Sequence, residues 1–221
     1  MAGSSGTAAP GVGSDPKAAP PVILLTGYEP FGGADVNPSW EAVKHLDGTS
    51  WHGYRLVARE LPVVWGAPLP ALKKLMTDLQ PVAVFSFGQG LPDRFTIETV
   101  AHRERGDYPD NDGQQPKEKK IADGAEQYEA GARAVAVEKK LAEKGYPIMA
   151  SKDAGRYLCE ECLYSLEYLH ATEFKSIYVQ FSHMPAWGNR IGPEKTEVTN
   201  AYEKQFVQDT LEAWWATRAG K

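Results

Sequence analysis

Short, wholly apolar runs alternate along the chain with longer stretches in which apolar residues recur every three or four positions. The continuous runs are typical of buried strands, and the periodic stretches predict helices with one buried face. Strands are predicted at residues 22–26, 54–61, 82–87, 147–150 and 176–181, and helices at 38–47, 69–79, 125–144, 158–169 and 198–219. This alternation predicts an α/β fold, a three-layer α/β/α sandwich around a mostly parallel twisted sheet.

In folds of this kind, functional side chains gather beyond the carboxyl ends of the strands. Residues 93–123 are polar and rich in turn signals, and so long an irregular stretch inside a compact domain is usually functional. The loops after residues 26, 87, 151 and 181 are therefore the candidate site. They carry Tyr28 and Phe31, Gln89 and Glu98, Cys159, and His183.

Cys159 lies where a turn-like segment gives way to a helical stripe that includes Cys162 and Leu166. A thiol at a helix start faces the positive end of the helix dipole, which favours the thiolate. The charges of the adjacent Glu160 and Glu161 oppose it. Simple burial in the core is the alternative role for a cysteine at this position.

His183 stands apart from the other histidines because it directly follows a predicted buried strand. A cysteine at a helix start, a histidine at a strand end and a carboxylate such as Glu98 can converge in such a fold. Together they supply a nucleophile, its base and the group that orients the base. A core histidine bonded to backbone is the alternative that the sequence leaves open.

The composition of the chain argues against nucleic acids and membranes as partners. The chain has 221 residues and a formal net charge of −5, with no basic stripe, which argues against nucleic acid. No apolar run approaches the roughly 18 residues of a membrane span. Residues 1–20 are rich in Ala, Gly, Ser and Pro and are predicted to be a disordered tail, ahead of a single α/β domain at 21–221.

The two cysteines, Cys159 and Cys162, are three positions apart on one predicted helix. They form no disulfide framework, and a reducing, cytoplasmic location fits them. The C-x-x-C spacing also occurs in redox and zinc sites. Two glutamates between the cysteines are unlike a thioredoxin-type site, and the chain has no second ligand pair for zinc.

Several segments carry a family resemblance. Thr26-Gly-Tyr-Glu-Pro-Phe-Gly-Gly33 followed by Asn37-Pro-Ser-Trp40 resembles the opening signature of pyroglutamyl peptidase I, the pyrrolidone-carboxylate peptidase family of cysteine peptidases. The family's other motifs follow in order: Leu61-Pro-Val63, Gly88-Gln89, Ile97-Glu98-x-Val-Ala101, Pro109-Asp-Asn-x-Gly113, Ala154-Gly155-x-x-x-Cys159 and Phe181-x-His183-x-Pro185. The similarity extends from about residue 22 to residue 185.

The resemblance implies an enzyme that releases an N-terminal pyroglutamyl residue from peptides through an acyl-enzyme, without a metal or other cofactor. It implies Cys159 as the nucleophile, His183 as the base and Glu98 as the group that orients His183. Backbone N–H groups at the helix start would hold the oxyanion. The substrate-binding residues that it implies are Tyr28 and Phe31, as aromatic walls around the lactam, with Asn37 and Gln89 nearby.

The sequence departs from the family pattern around this centre. Thr99 and Asp107 stand where the family has arginine, and Glu160 stands where it usually has asparagine. We expect a carboxylate at position 107 to oppose both the thiolate and the oxyanion and so to slow the reaction. A weakened or non-enzymatic relative that binds peptide ends or another ligand, and a small redox domain, are the open alternatives. Assembly into a homo-oligomer is also open.

Overall fold

The structure, a computed structural model, describes residues 19–218, so most of the predicted tail, residues 1–18, lies outside the described residues. The strands are β1 (Val22–Tyr28), β2 (Ser50–Trp51), β3 (Tyr54–Leu61), β4 (Ala83–Gln89), β5 (Phe95–Glu98), β6 (Val100–His102), β7 (Gln127–Glu129), β8 (Ile148–Ser151), β9 (Tyr178–Met184), β10 (Arg190–Ile191) and β11 (Thr196–Glu197). The helices are α1 (Pro38–Val43), α2 (Pro68–Leu79), α3 (Ala132–Glu143), α4 (Leu158–Thr172) and α5 (Asn200–Arg218).

A seven-stranded sheet in the order β2-β3-β1-β4-β9-β5-β8 forms the middle layer. Strands β3, β1, β4 and β9 are parallel, whereas β5 and β8 run antiparallel to β9, and β2 runs antiparallel to β3. Helices α1, α3 and α5 pack on one face, and α2 and α4 pack on the other. The predicted three-layer α/β/α fold with a mostly parallel sheet is confirmed.

The apolar runs form the central strands because both faces of the sheet are covered. Every residue of β1 is buried. Trp214 of α5 packs on Phe85 of β4 from one side, and Leu166 of α4 belongs to the same core cluster as Phe181 of β9 on the other. None of the helices in residues 19–218 combines the length and the apolarity needed to cross a membrane.

Two predicted element assignments are wrong. Residues 95–98 form β5, although they lie in the stretch predicted as an irregular loop, because four residues are too few for a periodic signal. The helix predicted at 125–144 begins only at Ala132, after the N-cap residue Gly131. Tyr128, which falls within the predicted helix, instead pairs with Ala101 in the β6–β7 ribbon.

The direction of β5 and β8 corrects the prediction that the candidate loops share one edge of the sheet. Thr96 pairs antiparallel with His183, so β5 runs against β9 and its carboxyl end points the opposite way. The same holds for β8, which runs parallel to β5 and precedes the segment that leads to Cys159. Glu98 therefore approaches His183 from the neighbouring antiparallel strand.

The segment after β9 is anchored by a buried carboxyl group. The indole Nε1 of Trp187 donates a hydrogen bond to Glu203 in the first turn of α5. Glu203 is fully buried. Burial raises the pKa of this carboxyl to about 8, although the hydrogen bond from Trp187 acts in the opposite direction.

We expect this carboxyl to make the fold less stable as the pH rises. The folded state keeps a proton that the unfolded chain loses above its ordinary pKa of 4.5. Between about pH 5 and about pH 8, one such proton lowers the free energy of unfolding by about 1.4 kcal/mol per pH unit. Glu203→Gln cannot ionise and keeps an acceptor for Trp187, so urea unfolding of this variant should depend less steeply on pH.

The exposed Glu194 gives the matched control, because Glu194→Gln should leave the pH dependence as it is in the wild type. Burial also raises the pKa of Glu167, to about 7, so part of the slope should persist in Glu203→Gln. Parallel stability curves for Glu203→Gln and the wild type would contradict the expectation.

Candidate active site

A cavity of about 290 Å³ lies between the loop after β1, the ends of β4 and β9, and the start of α4. It brings together side chains from distant parts of the sequence, because strands that are neighbours in the sheet are far apart in the chain. Every site residue predicted from the sequence lines it: Tyr28, Phe31, Asn37, Gln89, Glu98, Cys159 and His183.

His183 and Glu98 form the most ordered pair in the cavity. The imidazole Nδ1 lies 2.8 Å from Oε1 of Glu98, and both side chains are buried. The pairing of Thr96 with His183 makes Glu98 the diagonal neighbour of the imidazole on the same face of the sheet. The hydroxyl of Thr96 donates to the same carboxylate oxygen. Nδ1 is thereby occupied, which leaves Nε2 free for the thiol.

Cys159 lies beside this pair, since a Cβ atom on Gly88 would meet both Sγ of Cys159 and Cδ2 of His183. Burial of the imidazole opposes its positive charge. The negative charges of Cys159 and Glu98, together with the contact to the Glu98 carboxylate, outweigh burial and raise the pKa of His183 to about 10. An imidazolium at this position stabilises a thiolate opposite it. His183 lies within β9, which extends three residues beyond the predicted end of the strand, to Met184.

Two glycines, Gly88 in β4 and Gly90 just after it, make room for the thiol and the imidazole. A Cβ atom on Gly88 would lie 2.7 Å from Sγ of Cys159, and one on Gly90 would lie 2.5 Å from Cβ of His183. Either contact is too close for carbon, so the nucleophile and the imidazole occupy the space that a side chain would fill. The sequence motif Gly88-Gln89 predicted a site residue at Gln89, but it assigned no role to either glycine. Their alternate spacing at a strand end was the available signal.

The start of α4 presents unpaired backbone donors beside the thiol. The first bond of the helix joins the N–H of Glu161 to the carbonyl of Tyr157, and no side chain within residues 19–218 caps the helix. The N–H groups of residues 158–160 precede that bond and have no partner within the helix. The hydroxyl of Tyr28 donates to the carbonyl of Leu158 at 2.6 Å, which fixes this helix start against β1.

The two glutamates after the nucleophile are buried, and each has a partner. Nε and Nη2 of Arg105 donate to the two carboxylate oxygens of Glu161 at 2.8 and 2.6 Å. The carboxylate of Glu160 accepts from the backbone N–H of His102 at 2.6 Å, and burial raises the pKa of Glu160. The predicted opposition to the thiolate is therefore reduced, because Arg105 neutralises one charge and burial disfavours the other.

The position of Asp107 removes the electrostatic premise on which a slowed reaction was expected. Asp107 is exposed, forms an ion pair with Lys119 and does not line the cavity. Solvent screens a charge in that position from the thiol. Thr99 also stands where the family has arginine. Its hydroxyl donates to the carbonyl of Ser151 at 2.6 Å, which links the end of β5 to β8 next to Glu98.

Asn37 and Gln89, two of the predicted substrate-binding residues, differ in whether their side-chain amides already form hydrogen bonds within the protein. Oδ1 of Asn37 accepts from the backbone N–H and the hydroxyl of Ser39, and its Nδ2 donates to the carbonyl of Glu29, so this side chain mainly holds the loop. Gln89 lines the cavity half-buried, and its amide makes no hydrogen bond with the described residues. Of the two, Gln89 has the amide that can face a ligand.

Cys162 lies one helical turn beyond Cys159 in the core between α4 and the sheet. It is fully buried, and burial raises the pKa of its thiol to about 12. Both cysteines are free. The redox alternative required both thiols to be exposed together, and the burial of Cys162 contradicts it.

The sequence was then compared with known proteins. The model of a family described as pyroglutamyl peptidase matches residues 22–208. A pyrrolidone-carboxylate peptidase of Klebsiella pneumoniae is 39% identical over 168 residues, covering 74% of this chain and 77% of the relative. One from Yersinia pestis is 38% identical over 172 residues, covering 74% of this chain and 79% of the relative.

Solved structures agree with the sequence comparison. The pyroglutamyl peptidase I of Bacillus amyloliquefaciens superposes with a TM-score of 0.77 at 28% identity, covering 92% of this chain and 97% of that chain. A mutant pyrrolidone carboxyl peptidase from Pyrococcus furiosus superposes with a TM-score of 0.79 at 27% identity, covering 89% of this chain and 99% of that chain.

The space beside the imidazole gives a direct test of the geometry. We expect Gly90→Ala to displace His183 and to slow alkylation of Cys159 by iodoacetamide, because the thiolate loses its paired imidazolium. A shift of about 1 Å in a reacting group can cost about 100-fold in rate. Gly131→Ala is the matched control, since a Cβ there meets no atom within 4 Å. Equal alkylation rates in the two folded variants would show that the imidazole does not control the thiol.

Proposed function

The chain belongs to the pyroglutamyl peptidase family of cysteine peptidases, and we propose that Cys159, His183 and Glu98 carry out its reaction, the release of an N-terminal pyroglutamyl residue from peptides. The alternative of a non-enzymatic relative is not favoured. The observation that most directly supports the assignment of residues is the sequence of contacts from Glu98 through His183 to Cys159, facing one cavity. It supplies an orienting carboxylate, a base and a nucleophile in the spatial order that nucleophilic catalysis needs.

Substrate binding in this proposal depends on the aromatic walls and the free amide of the cavity. A pyroglutamyl ring is flat, mostly apolar and carries one lactam N–H and one lactam carbonyl. Tyr28 and Phe31 offer ring surfaces to its faces, and the amide of Gln89 can pair with the lactam. The hydroxyl of Tyr28 is occupied by Leu158, so this residue presents its ring rather than a donor.

The reaction begins with attack of the Cys159 thiolate on the carbonyl carbon of the pyroglutamyl residue. The oxygen gains negative charge, and the unpaired N–H groups at the start of α4 stabilise it. His183 then transfers its proton to the departing amine, and the peptide bond breaks to leave a thioester. His183 next takes a proton from water, the resulting hydroxide attacks the thioester, and pyroglutamate leaves with the thiolate restored.

The proposal includes a cytoplasmic location. Cys159 must stay reduced to act as a nucleophile, and both cysteines of the chain are free. A reducing compartment preserves that state.

The nucleophile can be tested against its buried neighbour on the same helix. We expect Cys159→Ala to abolish hydrolysis of a fluorogenic pyroglutamyl amide. Cys162→Ala should keep most of it, because Cys162 is buried and its loss removes only a small packed group, about 1 kcal/mol of stability. Turnover and urea unfolding measured on both variants check this. Equal loss of turnover in the two folded variants would contradict the assignment.

The role of the Glu98 carboxylate can be tested through the pH dependence of kcat/KM. The charge and the hydrogen bond of Glu98 contribute to the high pKa of His183, about 10, and the imidazolium is the form that protonates the leaving amine. We therefore expect kcat/KM to decline as the pH rises toward about 10. In Glu98→Gln the imidazolium loses its anionic partner, so the decline should begin at lower pH.

A profile that moves to higher pH in Glu98→Gln, or does not move at all, would contradict the role of Glu98. Thr96→Val is the comparison variant, because it removes a hydrogen bond to Glu98 without removing the carboxylate charge. In Thr96→Val, kcat/KM should begin to decline at a pH closer to that of the wild type than it does in Glu98→Gln.

A further inference from the structure

A second cavity of about 520 Å³ adjoins the catalytic cavity on the side of Phe31 and Tyr157. Phe31, Gly155 and Tyr157 line both cavities, so the two share a wall. Tyr108 and Pro109 line only the second cavity. We call this second cavity the Tyr108 groove.

Tyr108 combines an exposed ring with a fixed backbone. The residue is 56% exposed, so its ring is accessible to a ligand. The indole Nε1 of Trp65 donates to the carbonyl of Tyr108 at 2.8 Å, and the ring of Tyr108 lies edge-on to Tyr157 with 6.2 Å between centroids. Tyr157 in turn donates its hydroxyl to the carbonyl of Pro109 at 3.0 Å. The ring is therefore held in place although solvent reaches it.

The polar side chains of Asp110 and Asn111, which line the groove, already form hydrogen bonds with other parts of the protein. Oδ1 of Asp110 accepts from the backbone N–H groups of Asp112 and Gln114, and its Oδ2 accepts from that of Trp65. The amide of Asn111 donates to the carboxylate of Glu29 and to the backbone carbonyl at position 30. What remains for a ligand is mainly aromatic and aliphatic surface.

The groove lies on one of the paths by which the rest of the substrate can leave the catalytic cavity. In the proposed function the pyroglutamyl ring fills the catalytic cavity and its carbonyl carbon lies at Cys159. Tyr157, which lines both cavities, is only two residues before that nucleophile. A trans peptide advances about 3.8 Å per residue, so the residue after the scissile bond is the first that can leave the catalytic cavity.

We propose that the Tyr108 groove binds the side chain of the residue that follows the pyroglutamyl group, and that it selects aromatic and large apolar side chains there. The inference rests on the proposed function and deepens it. Tyr108 acts in it as a specificity-determining residue, because its ring would pack against the substrate side chain.

Another rim of the catalytic cavity offers a competing path. Leu91 lines the catalytic cavity but not the Tyr108 groove, and its side chain is 54% exposed. A substrate that left past Leu91 would also prefer apolar residues. The two paths are distinguished by which variant changes the preference.

The experiment compares kcat/KM for pyroglutamyl-Xaa-Gly amides in which Xaa is Phe, Leu, Ala or Asp. We expect the wild type to prefer Phe over Ala by about tenfold, as for a partly open apolar subsite. In Tyr108→Ala the ratio should fall to about twofold, and in Tyr108→Phe, which keeps the ring, it should stay near that of the wild type. Leu91→Ala should leave the ratio unchanged. Thermal unfolding of each variant shows that it is folded.

Each contrary outcome has a distinct meaning. If the wild type cleaves the Ala substrate but shows no preference for Phe, the groove proposal is overturned and the proposed function stands. If Leu91→Ala removes the preference and Tyr108→Ala does not, the peptide leaves past Leu91 and the groove proposal is again overturned. If no pyroglutamyl peptide is cleaved, both proposals fail.

Discussion

The hydrogen bond between Glu98 and His183 across the β5–β9 pair is the interaction on which the candidate site depends. It exists because β5 enters the sheet antiparallel to β9, so that a carboxylate at the carboxyl end of one strand reaches an imidazole near the carboxyl end of the other. By occupying Nδ1, the carboxylate leaves Nε2 for Cys159 and favours a positive ring.

The backbone around His183 and Cys159 leaves little space beside these two side chains. Gly88 and Gly90 lie against the thiol and the imidazole, and the backbone of β4 passes closer to both than any side chain would permit. On the other side, the hydroxyl of Tyr28 binds the carbonyl just before the nucleophile. The cavity is therefore defined by backbone positions in β4 and α4, which are rigid, rather than by long side chains that would have to be ordered on binding.

The start of α4 shows how a nucleophile can be followed directly by acidic residues. The helix dipole favours negative charge at this end, and the side chains of Glu160 and Glu161 are buried away from solvent. Arg105 forms two hydrogen bonds with Glu161, and the same arginine binds backbone carbonyls at positions 118 and 120. The long irregular segment that provides Arg105 also provides Tyr108. One segment thus balances charge beneath the nucleophile and shapes the surface beside it.

The sequence by itself determined the layered α/β fold, the family and seven of the residues that line the cavity. Apolar runs and helical stripes record burial directly, and the motifs around Thr26 and Cys159 lie within single stretches of chain. Only the tertiary structure decided the direction of β5, the steric need for Gly88 and Gly90, the partner of Glu161 and the exposed position of Asp107. These depend on contacts between residues far apart in the chain, and local periodicity carries no information about which strand or charge will lie opposite another.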